Sequence, residues 1–346
     1  LIIEDIKWQQ PNKIINMSSK ITYLIGAGAS CPCVPLSNDL IQGLYVLYKH
    51  LEKESKEATG GMRTQDELLA LAEIVNSVYR EANEQMTIDT YAKRLWLTHN
   101  EKELIRLKNV LALYFLFRQV TIKPEKRYDK FWASILNKND TVLSFPHQMN
   151  ILTWNYDIQF LLSLRPYLTS PNLNASFPYF LGEQLPKTFF IFPINGLAGC
   201  FYDSSGRFQI PSIFYEISNQ DGILTSKDLL DHFDLIKSQK STLMFSWENN
   251  IDHQQAIDSA ISKLGNTEIL VIIGYSFPFF NREIDLKIFN GLRNLKKVYY
   301  QVKDANKEIL VERFGFNNVR FNPSSLNAIQ TKEISFYDQF HIPEEF

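Results

Sequence analysis

Three short apolar runs in this chain each end on a glycine turn. KITYLI at 20–25 runs into Gly26-Ala27-Gly28-Ala29-Ser30, FFIFPI at 189–194 into Asn195-Gly196, and EILVII at 268–273 into Gly274-Tyr275-Ser276-Phe277-Pro278. Runs of this length, rich in β-branched residues and bounded by turn residues, read as buried strands. Segments of helical period separate them. Alternation of strand and helix predicts an α/β fold built on a parallel sheet.

Further strand signals lie at 150–153, at 241–247 (STLMFSW) and at 297–303 (KKVYYQV), for a sheet of about six strands. After Pro35, Ser37 or Asn38 is placed to cap a helix whose apolar positions Leu40, Ile41, Leu44, Leu47, Tyr48 and Leu51 follow the 3.6 period. Thr64 and Glu67 form a capping-box pattern ahead of Leu68, Leu71, Ala72, Val75, Val78 and Tyr79. Residues 86–118 continue in helical period, with Leu104, Leu107, Leu111, Tyr114 and Phe115 as a buried stripe. The segment 60–137 therefore reads as a mainly helical insertion into a sheet-bearing domain formed by 1–59 and 138–346. Shorter helices are expected from about Asp157, at 254–264 and at 283–292, and an irregular stretch at 165–187, rich in Pro, Asn and Ser.

Composition narrows the function classes. The 346 residues carry 36 Lys and Arg against 38 Asp and Glu, so no global basic surplus drives phosphate binding. Three cysteines, Cys31, Cys33 and Cys200, cannot build a disulfide framework or a four-cysteine zinc site, and a reducing cytoplasm is the expected compartment. The longest apolar run falls far short of the ~20 residues that span a bilayer, and Leu1 to Trp8 lacks a secretory cleavage pattern, so neither a membrane span nor export is expected.

Ligands of open parallel sheets bind beyond the carboxyl ends of the strands. At the first such end, Gly26 and Gly28 let the backbone approach a pyrophosphate and aim amide groups at it; a tight turn without a ligand is the other reading. A GxGxxG dehydrogenase fingerprint would need glycine where Cys31 stands, and no GxxxxGK[ST] loop exists in the chain. At the second end, Thr153-Trp154-Asn155-Tyr156-Asp157, an amide and a carboxylate can hold ribose hydroxyls and orient water, or simply cap a helix.

GAGAS followed by Val34-Pro35 and a helix, then TWNYD, the Asn195-Gly196 turn and IIGYSFP, in this order, resembles the sirtuin-like NAD-consuming domains of prokaryotic anti-phage defence systems. The segment TIDTYAKRL at 87–95 is also similar to theirs, and the likeness spans about Lys20 to Asn306. The resemblance implies a Rossmann-like parallel sheet flanked by helices, with a helical insertion. It also implies hydrolysis of NAD, the substrate, to nicotinamide and ADP-ribose without a metal. By the same resemblance the loop of Gly26, Ala27, Gly28, Ser30 and Pro35 covers the diphosphate and Asn155 is needed for hydrolysis. Asp157 contacts the ribose or nicotinamide side, and Gly196, Gly274, Ser276 and Asp304 complete the nucleotide site. Homo-oligomeric assembly is implied too, with a separate activating protein: a motor ATPase, an Argonaute-like protein or a phage sensor. Deacylating sirtuins carry a four-cysteine zinc module that three cysteines cannot form, so protein deacetylation is not expected.

One position departs from the pattern. Asn195 stands where such domains place a histidine base, and a carboxamide cannot take up a proton. Asp157 is the expected replacement, because nicotinamide is a good leaving group and the oxocarbenium-like centre needs mainly positioning and electrostatic support. His147 falls at the far end of its strand, and His50, His99, His232, His253 and His341 read as surface or structural residues. Two readings stay open: an NAD hydrolase switched on by assembly or a partner, and a nucleotide-binding sensor or assembly module without catalysis.

Overall fold

The computed structural model describes residues 20–36, 39–57, 62–139, 142–144, 146, 149–168, 189–206, 208–216, 224–248, 250–303, 309–310, 312 and 328–346. Ser37, Asn38, His147, most of the irregular 165–187 stretch and the expected site residue Asp304 lie outside them.

Six strands form one parallel sheet: β1 (Ile21–Ile25), β2 (Met149–Thr153), β3 (Phe189–Pro193), β4 (Ile269–Ile273), β5 (Lys297–Gln301) and β6 (Gln330–Glu333). Their spatial order is β3-β2-β1-β4-β5-β6. Chain direction across the sheet therefore reverses between β1 and β4, the switch point of a Rossmann-like doubly wound fold. Ile25 pairs with both Thr153 and Ile273, so the three central strands finish level. The ladder continues one residue further, with Gly26 N donating to Ile273 O and Trp154 N to Ile25 O, both at 2.9 Å. The loops that carry GAGAS, TWNYD and GYSFP thus leave the sheet side by side.

Period-two alternation sorts the strand residues between two cores. Tyr23, Ile25, Ile151, Ile191 and Val271 face one cluster, and Leu24, Leu152, Phe190, Leu270 and Ile272 face the other. The first cluster is covered by the helices that follow β1: α1 (Leu40–Glu57), α2 (Met62–Asn83), α3 (Ile88–Leu97), α4 (Glu101–Thr121) and α5 (Lys126–Ile135). Their buried side chains, among them Leu68, Leu107, Tyr114 and Trp132, belong to the same continuous core as Tyr23 and Ile151. Helix α4 runs through its centre, with every residue from Val110 to Phe117 buried, as a helix apolar on all sides requires. After β2 come α6 (Gln159–Leu164), α7 (Ser226–Ser238), α8 (Ile251–Ser262) and α9 (Arg282–Gly291); α8 and α9 cover the second face. Among the described residues no helix is long and apolar enough to cross a membrane.

Local details differ from the sequence reading for identifiable reasons. Helix α2 begins at Met62 and takes Thr64 and Glu67 inside it, so they are not its cap. The helical stretch 86–118 is broken by His99, whose φ is +55°, and Asn100 starts α4 by accepting the Glu103 N–H. Only Lys240–Ser241 of the 240–247 segment forms strand, pairing antiparallel with Phe201–Tyr202 outside the main sheet. Its place as sixth strand is taken by β6, a polar edge strand (QTKE) with no apolar signal.

Candidate functional site

The GAGAS turn closes as one 3-10 turn over Ala27–Ala29 and brings Ser30 into the interior, fully buried. Its glycines are accounted for by backbone contact with the loop after β4. A Cβ on Gly26 would lie 2.7 Å from Gly274 O, one on Gly28 would lie 2.9 Å from Gly274 Cα, and Gly274 itself has φ +62°. The Gly26 and Gly28 amides, expected to face a diphosphate, donate instead to Ile273 O and Gly274 O at 2.9 Å. The far side of the loop is held by arginines. Arg127 Nη2 donates to the carbonyls of Gly28, Ala29 and Cys31 at 3.3, 3.2 and 2.6 Å, and Arg118 Nη2 to that of Cys33 at 2.9 Å. Carbonyls of a loop pressed against helices must find donors, and α4 and α5 supply them.

Ser30, Asn155 and Asp157 meet beneath this loop. Ser30 Oγ donates to Asp157 Oδ1 at 3.0 Å and accepts from Asn155 Nδ2 at 3.0 Å. A fourth member, Tyr128 of α5, places its hydroxyl 2.9 Å from Ser30 Oγ and 3.4 Å from Asn155 Nδ2. All four side chains are buried, Asn155 and Asp157 at 4% and 5% exposure. The loop geometry is set locally: Asn155 N donates to Thr153 Oγ1 at 3.1 Å, and Asp157 Oδ1 accepts from Gln159 N at 3.1 Å at the start of α6. Asp157 is therefore both a helix-start acceptor and a member of the cluster.

Burial pushes the Asp157 carboxyl from its ordinary 3.8 up to about 6, against the lowering effect of hydrogen bonds from Ser30 and Gln159. Between about pH 4 and pH 6 the folded protein retains a proton that the unfolded chain has released. This stabilising contribution is complete below the unfolded value and is lost as pH rises through the folded one. The shift corresponds to about 3 kcal/mol. Asp157→Asn keeps an Oδ1 acceptor for Ser30 and Gln159 but removes the buried charge. It is expected to flatten the loss of stability between pH 4 and 6, read as urea midpoints at pH 4 and pH 7.

The third strand end is tied to the second. Asn195 Nδ2 donates to Trp154 O at 3.2 Å, and Ala198 N donates to Tyr156 O at 2.8 Å. Gly196 has φ +67°, and a Cβ there would strike Thr242 O. Three buried polar atoms at these ends have no hydrogen-bond partner: Asn155 Oδ1, Asn195 Oδ1 and Trp154 Nε1. Unsatisfied buried groups are costly and mark places where a ligand or water completes the structure.

Of the remaining expected residues, Ala27 and Ser276 are exposed and Pro35 is half-buried, apart from the buried cluster. Sequence reasoning missed Tyr128 and Arg127, which sit in an amphipathic helix far along the chain with no motif around them. It set aside His253, whose ring is held against the Ile194 main chain next to Asn195, with burial and Lys108 lowering its pKa. The TIDTYAKRL segment reaches the same loops: Asp89 Oδ1 accepts from Tyr156 Oη at 3.4 Å, and burial raises the Asp89 carboxyl. A cavity of about 860 Å³, lined by residues such as Glu268, Arg293, Lys297 and Gln330, opens at the amino edge of the sheet, the end opposite Ser30. The chain matches no protein-family model, and no curated protein matches it.

Proposed function

We propose that the chain is an NAD hydrolase, releasing nicotinamide and ADP-ribose, and that it acts as the effector of a prokaryotic anti-phage defence system in the cytoplasm. The observation that carries this reading is the Asn155 side chain. Its Nδ2 is engaged by Ser30 and Tyr128, while its Oδ1 stays buried and unpartnered in the cluster that also holds the Asp157 carboxylate. A fixed carboxamide oxygen can accept from a ribose hydroxyl or an attacking water. A neighbouring carboxylate favours the positive charge that develops as the glycosidic bond to nicotinamide breaks. Neither role needs a metal.

The cluster is nearly inaccessible, so substrate entry requires the GAGAS and TWNYD loops to part. That closure supports activation by homo-oligomeric assembly or by a separate protein such as a motor ATPase, an Argonaute-like protein or a phage sensor. Asn195 favours the second reading, a module that binds NAD or ADP-ribose without cleaving it, since its carboxamide supplies no base. Following nicotinamide release by the purified protein, alone and with the products of neighbouring genes, separates the two. Release in any assembly supports the hydrolase; measurable ADP-ribose binding with no release in any assembly overturns it. Asn195→His is expected to raise the rate by about tenfold or more if the missing base limits it. An unchanged rate in a folded variant would remove the base argument.

A further inference from the structure

Tyr128 enters the cluster from α5 rather than from a strand end. Its ring is fixed by packing, standing edge-on to Phe160 and Phe340 with centroids 5.5 and 5.0 Å away. Packing explains the ring but not the hydroxyl, which is completely buried and which a phenylalanine would lack. The partners of Ser30 explain it. Ser30 Oγ has one proton and two lone pairs: the proton goes to Asp157 Oδ1, one lone pair takes Asn155 Nδ2–H, and the other faces Tyr128 Oη. With Asp157 ionised the chain runs in one direction, phenol to serine to carboxylate, and each bond polarises the next.

We infer that Tyr128 is a positioning residue of this site: through Ser30 it directs a hydrogen bond onto the Asp157 carboxylate, and beside Asn155 it keeps the carboxamide nitrogen engaged and the oxygen unengaged. Its consequence for catalysis rests on the hydrolase reading; its effect on Asp157 does not. The charged groups facing the phenol are Asp157, Arg127 and Glu125, and the phenol itself is held protonated far above neutral pH by burial. It therefore acts as a donor, not as a base. Asp157 is faced by Ser30, Asn155 and the Gln159 N–H.

Tyr128→Phe tests this, because it keeps the packed ring and removes only the oxygen. Two readouts are needed: the Asp157 titration midpoint in the ligand-free protein, followed by its infrared carboxyl band and assigned with Asp157→Asn, and the pH profile of nicotinamide release. In a variant with a near-native melting temperature, the midpoint is expected to rise by about half a unit, since a bond supporting the carboxylate is weakened. The acid limb of the profile moves the same way, and kcat falls by about tenfold with KM nearly constant. An unmoved Asp157 midpoint in folded Tyr128→Phe overturns the inference. Should that variant fail to fold, 3-fluorotyrosine at position 128 keeps the ring and makes the phenol a stronger donor, so the midpoint is expected to fall, and an unmoved midpoint there has the same force. A wild-type protein that releases no nicotinamide in any assembly sinks the hydrolase reading alone, and the Asp157 midpoint still decides the role of Tyr128.

Discussion

Asn155→Ala is expected to lower nicotinamide release by about 10²- to 10³-fold, the loss that follows removal of one fixed group acting on a charge-developing centre. The substitution deletes the only carboxamide in the Ser30 cluster, and no neighbour there can replace it. Tyr128 has a hydroxyl, Ser30 has committed its proton to Asp157, and Asp157 Oδ1 already accepts from both Ser30 and Gln159 N. Stability should change far less. Ser30 loses one donor but retains Tyr128 and Asp157, so a cost of about 1–2 kcal/mol is expected for the lost hydrogen bonds. ADP-ribose affinity measured by calorimetry should fall less than the rate, because a group that acts on the breaking bond contributes more in the transition state than in the bound product. A variant that retains more than about a tenth of the rate would show that Asn155 is only a structural link between two loops.

The sheet was legible because β1, β4 and the edge strand β3 each bury residues on both faces and so had to be written as continuous apolar runs. KITYLI, FFIFPI and EILVII are strands for that reason, and each loop that follows starts where the apolar run stops. The edge strand Gln330–Glu333 is largely exposed and left no such trace. The opposite error arose at 241–247, where apolar Leu243 and Phe245 are buried in the core around the site loops rather than paired in the sheet; Phe245 packs against Tyr156. Within the site, Asn155 and Asp157 were legible because polar residues at the carboxyl end of a buried strand stand out against it. Tyr128 was not, because its bond to Ser30 spans 98 positions and in its own helix it reads as one more apolar-face residue. The close approach that requires glycine at 26 and 28 was not legible for a related reason: the residues that make it, Gly274 and Tyr275, lie on another loop.

Gly274→Ala separates the two demands made on a glycine in this fold. Its φ of +62° costs a side-chain-bearing residue about 1–2 kcal/mol, and the new Cβ would stand 2.3 Å from Ala29 N and 2.5 Å from Gly28 C. Both contacts are backbone, so relief comes only by separating the GAGAS loop from the end of β4. That movement strains the bond from Gly28 N to Gly274 O and carries Ser30 away from Asp157. Overpacking of this kind adds about 1–3 kcal/mol, so a total near 3 kcal/mol or more is expected in denaturant unfolding. Gly206 supplies the control: its φ is +76°, but nothing lies within 4 Å of an added Cβ, so Gly206→Ala should show the backbone cost alone. The difference between the two variants measures how tightly the loops on either side of the switch point are locked. If Gly274→Ala costs no more than Gly206→Ala, the GAGAS loop yields easily against the loop after β4. A clearly larger cost means that the interlocked glycines hold the GAGAS loop, and Ser30 with it, rigidly against the end of β4.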